Sequence, residues 1–206
     1  MRILRKIITR EGFSHNILRI SEMKITFNSP IILTFAFISA IALVLGVLTN
    51  DWTTKVFFST YDSSLLNPLT YVRSLTHVLG HASFSHYINN MLFFLLLGPI
   101  LEEKYGSERI MIVIGATALV TAIINSIFTS CALLGASGVV FAFIILASMT
   151  SFREKEIPLT FILIIFLYLG REVFNGIFSS DNISQSAHLI GGACGAIAGF
   201  AFAPKK

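Results

Sequence analysis

The chain has 206 residues, of which 54% are hydrophobic and only 13% are charged, with a formal net charge of +4. Because soluble domains normally carry about 25% charged residues, this composition and the mean hydropathy of +0.78 exclude an ordinary soluble domain and indicate an integral membrane protein. The basic residues are not interleaved with aromatic ones in the manner of nucleic-acid-binding proteins.

The first 28 residues are predicted to form a basic cytoplasmic segment, followed by a membrane domain over residues 29–206. Apolar residues such as Ile3 and Ile7 alternate here with basic residues such as Arg5 and Arg10. This pattern is typical of an amphipathic segment that lies on anionic lipid, and a solvated charged tail is the alternative. The long polar stretch before the first apolar run and the lack of a small-residue cleavage site argue against a signal peptide.

Apolar runs along the chain are long enough to suggest membrane spans, since a helix that crosses a bilayer needs about 20 mostly apolar residues. Six segments approach this length: Ile31–Leu48, Tyr87–Leu101, Ile110–Phe128, Ser137–Met149, Leu159–Leu169 with an extension toward Phe178, and Ala187–Ala203. The second and fourth are short, which is tolerated where protein surrounds a helix. The predicted fold class is therefore an all-α membrane protein, a polytopic bundle of six transmembrane helices.

Positively charged residues predict how these helices are threaded, since Lys and Arg concentrate on the cytoplasmic side of a membrane. With the N-terminus inside, 12 of the 15 Lys and Arg residues fall on the cytoplasmic side and 3 fall outside. Both termini are then cytoplasmic. The segment Asn50–Ser85 becomes an outer loop between helices 1 and 2, and its many apolar and aromatic residues predict a partly helical loop at the outer membrane interface.

Polar residues concentrate at the outer ends of the second, fourth and sixth spans, although such residues are costly in a bilayer and are candidates for function. His86 and Asn90 in the second span are four residues apart, so they share one helix face. Both side chains can donate hydrogen bonds, and such a pair can stabilise a developing oxyanion. The alternative is that they form polar contacts between helices.

The fourth span opens with Gly135-Ala136-Ser137-Gly138. A serine at a helix start is commonly an N-cap residue, and the motif is not the G-x-S-x-G turn of soluble hydrolases because Val139 replaces the last glycine. The flanking glycines allow a substrate to come close, and a helix N-terminus offers N–H groups to negative charge. Ser137 is therefore a candidate nucleophile.

The sixth span carries His188 near its start, followed by Gly191 and further glycines at every fourth residue, a spacing that lets another helix pack closely. A neutral imidazole can take a proton from a serine. Gly138 gives the fourth span a matching small residue, so close packing of the two spans would bring Ser137 and His188 together. A nucleophile beside a base is the minimum for covalent catalysis. A dyad is favoured over a triad because no acidic residue stands near this group. Asp181 is the one acidic residue nearby in sequence, and it falls in an apparent outer loop.

Four short motifs occur in a characteristic order along residues 68–200. They are His86-x-x-x-Asn90, Gly98 with Glu102 and Gly106, Gly135-Ala136-Ser137-Gly138, and Ala187-His188 with Gly191 and Gly195. Taken together, they resemble the rhomboid family of intramembrane serine proteases, whose H-x-x-x-N, G-x-x-x-E-x-x-x-G, G-x-S-G and histidine-helix motifs follow one another in this way. Each motif is weak alone, and their order makes the resemblance specific.

The resemblance implies a role for each of these residues. Ser137 would attack the scissile carbonyl, and His188 would take its proton and return it to the leaving amine. The Ser137 backbone N–H, His86 and Asn90 would stabilise the oxyanion. Supporting roles are implied for the remaining residues of the motifs and the loop: Arg73, His81, Glu102, Gly135, Gly138, Phe141, Gly191 and Gly195.

The resemblance also implies transmembrane protein substrates cut near the outer face, a lipid environment, and neither cofactor nor metal. Analogy with minimal members of the family implies a multi-pass protein of a bacterial plasma membrane. The sequence departs from the family at three places. Val72 precedes Arg73 where many relatives have Trp, Phe141 stands where some have Tyr, and Arg171-Glu172 is unusual in an apolar setting.

Three other functions remain open at this point. A metal protease could use His77, His81 and His86, although no H-E-x-x-H motif accompanies them. An inactive relative that binds membrane proteins would typically lack the serine or the histidine, and a transporter would place polar residues across the membrane rather than near one face. Cys131 and Cys194, at no metal-ligand spacing, are interpreted as small buried hydrophobic residues.

Overall fold

The computed structural model describes residues 26–129, 131–149 and 182–202, together with the single helical positions 159, 162, 163, 166 and 167. Over these ranges the named helices are α1 Pro30–Leu48, α2 Trp52–Phe57, α3 Pro68–Thr76, α4 Phe84–Tyr105, α5 Ser107–Phe128, α6 Ser137–Ser148 and α7 Asn182–Ala201. A 3₁₀ turn at His77–Leu79 follows α3. The β-type pairing found in the described ranges is one isolated antiparallel bridge between Thr60 and Leu133.

Three of these helices, α1, α4 and α5, are long and apolar enough to cross a membrane, with mean hydropathies of 2.8, 1.3 and 2.2. α6 and the Ser186–Ala201 part of α7 are shorter apolar helices. Over the described residues, the prediction of a helical protein with apolar, membrane-spanning helices is thus confirmed. Apart from the five single positions, the fifth predicted span lies outside the described residues, as do Arg171-Glu172 and residues 1–25.

Helix α4 is longer than the predicted second span, since it begins before Tyr87 and ends after Leu101. Its first turn contains Ser85 and His86 and is capped by Ser83, whose side chain accepts a hydrogen bond from the His86 N–H at 3.1 Å. At the other end Gly106, with a φ of +91°, ends α4 and at once begins α5. An apolar run therefore predicts the middle of this helix but not its capped ends.

The segment between α1 and α4 is partly helical, as predicted, since it contains α2, α3 and the 3₁₀ turn. Arg73 of α3 is buried within it. The Arg73 Nη2 donates to Ser63 Oγ at 3.0 Å, and its guanidinium lies 4.5 Å from the centre of the Tyr61 ring. Arg73 therefore fastens residues 61–63 onto α3.

The core of the bundle is built around stacked aromatic rings. Phe94 of α4 is fully buried and stacks on Phe35 of α1 and Phe143 of α6, with ring centroids 4.5 and 5.2 Å apart. The outward faces are also apolar, as Phe37 and Leu92 show with exposures of 60% and 62%. Helices that are apolar on all sides are suited to a surrounding of lipid.

The loop between α5 and α6 is tied to the end of α5 by Asn125. The Asn125 Nδ2 donates to the Cys131 carbonyl at 3.0 Å, and Thr129 Oγ1 donates to Asn125 Oδ1 at 2.8 Å. The Cys131 side chain is exposed, so the prediction that it is buried was wrong, because the contact that holds Cys131 in this loop is made by its backbone carbonyl and not by its side chain. Cys194, in α7, is half-buried.

Glu102 joins α4 to the start of α1 at the end of the bundle away from Ser137. Its carboxylate, only 5% exposed, accepts hydrogen bonds from the N–H groups of Ile31 and Ile32, both at 3.1 Å, and from Ser107 Oγ at 2.6 Å. Ser29 precedes α1 but makes no capping bond with its side chain. Glu102 therefore caps α1 from another helix, and its negative charge faces the positive end of the helix dipole.

Replacing Glu102 by glutamine is expected to lower the free energy of unfolding by about 1–3 kcal/mol. The glutamine NH₂ group would replace one carboxylate oxygen, so a buried N–H group at the start of α1 would face another donor and lose its acceptor. The measurement is the thermal midpoint of the purified protein in detergent. Glu103→Gln is the matched control, since Glu103 is the next residue on the same helix and is exposed. Equal midpoints for the two variants would contradict the capping role.

Candidate active site

Ser137 is the first residue of α6 and is half-buried. Ala136 occupies the N-cap position, so the alternative interpretation of Ser137 as an N-cap residue is wrong. Gly135, two residues earlier, has a φ of +119°, a conformation that residues with a side chain rarely adopt. This turn places Ser137 at a helix N-terminus, where the first N–H groups have no carbonyl partner within the helix.

His86 and Asn90 of α4 lie directly against the Gly135 turn. A Cβ atom built on Gly135 would lie 2.8 Å from His86 Nε2, so a side chain at this position would displace the imidazole, and it would be in van der Waals contact with Asn90 Nδ2 at 3.8 Å. The Asn90 side chain is 6% exposed and its Nδ2 makes no hydrogen bond. The structure thus brings an unused amide donor and an imidazole to the backbone immediately before Ser137.

The hydrogen bonds of His86 indicate which of its ring nitrogens carries the proton. The Ala82 backbone N–H donates to His86 Nδ1 at 3.4 Å. A nitrogen that accepts a hydrogen bond has no proton of its own, so in the neutral ring the proton is on Nε2. Nε2 is the nitrogen that faces Gly135, and His86 therefore presents a donor there beside that of Asn90.

Helices α6 and α7 pack with their backbones in contact, as their small residues predict. A Cβ atom on Gly191 would lie 2.7 Å from the carbonyl carbon of Gly138, and one on Gly195 would lie 2.8 Å from that of Ala142. A Cβ atom on Gly138 would lie 3.2 Å from the carbonyl oxygen of Ala187. The predicted close packing is confirmed. Because Ala187 lies against Gly138, the neighbouring residues His188 and Ser137 are at about the same level of the two helices.

The ring of His188 is half-buried and lies against Phe141, one turn after Ser137 on α6. The two ring centroids are 4.3 Å apart and the planes are inclined by 41°. Phe141 therefore makes the aromatic contact with His188 although it lacks the hydroxyl group of the tyrosine that some relatives have at this position. This packing restricts the rotation of the imidazole.

His81 supports His86 from the loop that precedes α4. Its ring is 3% exposed, and its centroid lies 5.1 Å from that of His86 and 5.4 Å from that of Tyr87. Burial, with a smaller contribution from the proximity of His86, lowers the pKa of His81 to about 4. His81 is therefore neutral near pH 7, and its Nδ1 donates to the Leu79 carbonyl at 3.1 Å.

His77 has a structural position that its sequence context did not reveal. Its backbone carbonyl accepts the Gly135 N–H at 2.9 Å, and its buried ring lies between the Arg73 carbonyl and Thr121 Oγ1, at 3.2 and 3.3 Å. Desolvation by burial lowers the pKa of His77 to about 4. The residue links α3, α5 and the turn before Ser137, and a link through a carbonyl carries no sequence signal.

A second backbone link holds the segment that leads to Ser137. Thr60 and Leu133 exchange two hydrogen bonds, with N–H to carbonyl distances of 2.9 and 2.7 Å. The segment between α5 and α6 is thereby attached to the loop between α1 and α4 as well as to the 3₁₀ turn. The side chains of Arg73 and Glu102 do not contact the Gly135 turn. Arg73 binds the loop between α1 and α4, and Glu102 binds the start of α1 at the other end of the bundle.

Comparisons with known proteins show the family of this chain. The family model described as the Rhomboid domain matches residues 68–205, and the chain belongs to the rhomboid family. It is 30% identical to the Rhomboid-related protein 2 of Mus musculus over 79% of this chain and 61% of that protein. It is 28% identical to the Rhomboid protease GluP of Bacillus subtilis over 91% of this chain and 39% of that protein.

A third relative is the Rhomboid protease GlpG of Haemophilus influenzae, to which the chain is 23% identical over 62% of its own length and 68% of that protein. The chain thus spans less than two thirds of the first two relatives. The family match covers the part of the chain that contains α3 to α7, and with it Ser137, His188, His86 and Asn90.

Proposed function

We propose that this protein is an intramembrane serine protease that hydrolyses peptide bonds of membrane-anchored proteins near the outer membrane face. The observation that carries the proposal is the convergence of two donors, the unpartnered Asn90 amide and the His86 Nε2–H, on the turn before Ser137. Donors fixed beside a candidate nucleophile are what the negative charge of an acyl-transfer transition state requires.

The reaction begins when Ser137 Oγ attacks the scissile carbonyl carbon while His188 takes the hydroxyl proton. The carbonyl oxygen, now an oxyanion, accepts hydrogen bonds from His86, Asn90 and the Ser137 N–H. His188 then gives its proton to the leaving amine, and the peptide bond breaks to leave an acyl-enzyme. A water molecule attacks the ester with His188 again as the base, which releases the new carboxylate and restores the serine hydroxyl.

Two packing contacts act on the orientation of the proposed base, His188. Phe141 supplies one, because its ring packs on His188 at 4.3 Å. The backbone contact between α6 and α7 supplies a second, since it fixes the two helices that carry the dyad. Both constraints act through packing in a region where unpaired charges are costly.

The setting of the proposed enzyme follows from the sequence and the family. We propose a multi-pass protein of a bacterial plasma membrane with both termini in the cytoplasm, a cytoplasmic segment at 1–28 and a six-helix protease domain at 29–206. The distribution of Lys and Arg supports this orientation. Substrates would be transmembrane proteins, and no cofactor or metal is required by the mechanism.

The direct test incubates the purified protein in lipid vesicles with a single-span protein substrate, with and without a chelator, and in parallel with a fluorophosphonate probe that labels activated serines. Cleavage that resists the chelator, together with probe labelling, is the expected result. Absence of both cleavage and labelling would support the inactive-relative alternative. Cleavage abolished by the chelator and restored by zinc would support a metal protease instead.

Replacing Asn90 by alanine is expected to lower kcat by about a hundredfold with little change in KM, because an oxyanion donor acts in the transition state and not in substrate binding. The thermal midpoint should change little, since the Asn90 amide nitrogen makes no hydrogen bond in the free protein. Asn89→Ala, an exposed neighbour on the same helix, is the matched control. A rise in KM with unchanged kcat would assign Asn90 to substrate binding.

A further inference from the structure

A groove lies between α3 of the outer loop and α5, on the outside of the bundle. Its volume is about 300 Å³. One wall is formed by α5 residues that include Leu119, Ile123 and Ile127, and the other by loop residues that include Leu65 and Tyr71. None of these residues takes part in the proposed chemistry.

Four of the hydroxyl groups on the walls of this groove donate hydrogen bonds within the protein. Ser126, Ser74 and Thr70 each donate to a main-chain carbonyl of their own segment, at 2.9, 2.7 and 2.8 Å. The Tyr71 hydroxyl donates to a loop carbonyl at 3.0 Å. Because these protons are committed, the groove offers little to water or to a polar ligand and is suited to an apolar occupant.

The walls of the groove are apolar and exposed on the outside of the bundle. Its α5 wall belongs to a helix that is long and apolar enough to span a membrane, and Leu119, Ile123 and Ile127 are 43%, 49% and 68% exposed. Leu65 on the opposite wall is 71% exposed. An apolar cavity of about 150 Å³ holds a benzene molecule, so a groove twice as large has room for a hydrocarbon segment of roughly a dozen carbon atoms.

We propose that this groove binds one acyl chain of a membrane phospholipid. A chain in the groove contacts α3 and α5 at once, so it is held more strongly than a lipid that contacts a single helix face. The bound chain also stabilises the position of α3, which leads directly into His77 and its hydrogen bond to Gly135. The proposal does not depend on the proposed protease activity.

The test is to extract the protein from vesicles of dioleoylphosphatidylglycerol into detergent and to record its mass under native conditions. One retained phospholipid per protein is expected. Ser126→Phe places a ring in the groove from an exposed position and is expected to lower the retained fraction about tenfold, which corresponds to about 1.4 kcal/mol. Thr34→Phe, an exposed position on α1 outside the groove, is the control and should retain the lipid.

A second measurement separates loss of the lipid from loss of the fold. Added phospholipid should raise the thermal midpoint of the detergent-purified parent and of Thr34→Phe, because a ligand that binds the folded state stabilises it. Ser126→Phe should have a normal midpoint that lipid does not raise. Retention of detergent or free fatty acid alone, or equal phospholipid retention by Ser126→Phe and the parent, would overturn the proposal.

Discussion

Replacing Ser137 by alanine is expected to abolish proteolysis, with a fall in kcat on the order of a millionfold, and replacing His188 by alanine should have a similar effect. Alanine at 137 removes the atom that forms the acyl-enzyme, and alanine at 188 removes the group that takes its proton. The measurement is cleavage of a single-span substrate by each purified variant in vesicles, with the fluorophosphonate probe as a second readout of the serine.

Two further variants make this prediction specific. Ser148→Ala is the matched control, because Ser148 lies at the other end of α6 and donates to the Ile145 carbonyl rather than facing the Gly135 turn. It should retain activity. The double variant with alanine at 137 and 188 should be no slower than either single variant, since residues that act as one unit do not contribute additively. Activity that persists in Ser137→Ala would refute the proposed mechanism.

Replacing Gly191 by valine is expected to disrupt both stability and activity. The added Cβ would come within 3 Å of backbone atoms of Gly138, and a backbone cannot move aside as a flexible side chain does. We expect a loss of about 3 kcal/mol in the free energy of unfolding, the upper range for overpacking. We also expect activity to fall by at least about a hundredfold, since small displacements of catalytic groups have effects of this size.

The matched control for this variant is Gly115→Val on α5. A Cβ atom at Gly115 would have no neighbour within 4 Å, so valine there extends into open space and should cost only what its helix propensity dictates. Both proteins are compared by thermal midpoint in detergent and by substrate cleavage in vesicles. A Gly191→Val protein that matches the control in both measurements would show that the contact between α6 and α7 does not set the geometry of the site.

The spans that could be predicted from the sequence are those in which apolar residues continue to the helix ends. α1 begins one residue before the predicted Ile31, and its end at Leu48 agrees. α5 begins at Ser107 rather than Ile110, because its first turn contains Glu108 and Arg109, which a hydropathy pattern assigns to a loop. The hydropathy pattern shows which residues can lie in the apolar part of a bilayer, whereas the ends of helices are determined by capping groups and backbone turns.

The candidate site was predictable where motif spacing determines geometry. Four-residue spacing sets His86 and Asn90 on one face, and the glycines of α7 require a close neighbour. Their arrangement around Gly135 was not predictable, because it depends on contacts between residues distant in the sequence, such as the hydrogen bond from the Gly135 N–H to the His77 carbonyl. The capping of α1 by Glu102 is of the same kind.

That cap bears on the order in which the molecule is assembled during synthesis. Ile31, Ile32 and Glu102 are all made before α5, and so are His86 and Asn90. Because chains fold from the N-terminal part as they emerge from the ribosome, we expect α1 and α4 to be fastened together while the nucleophile is still to be translated. The helices that carry Ser137 and His188 would then insert against a surface that already presents the oxyanion donors.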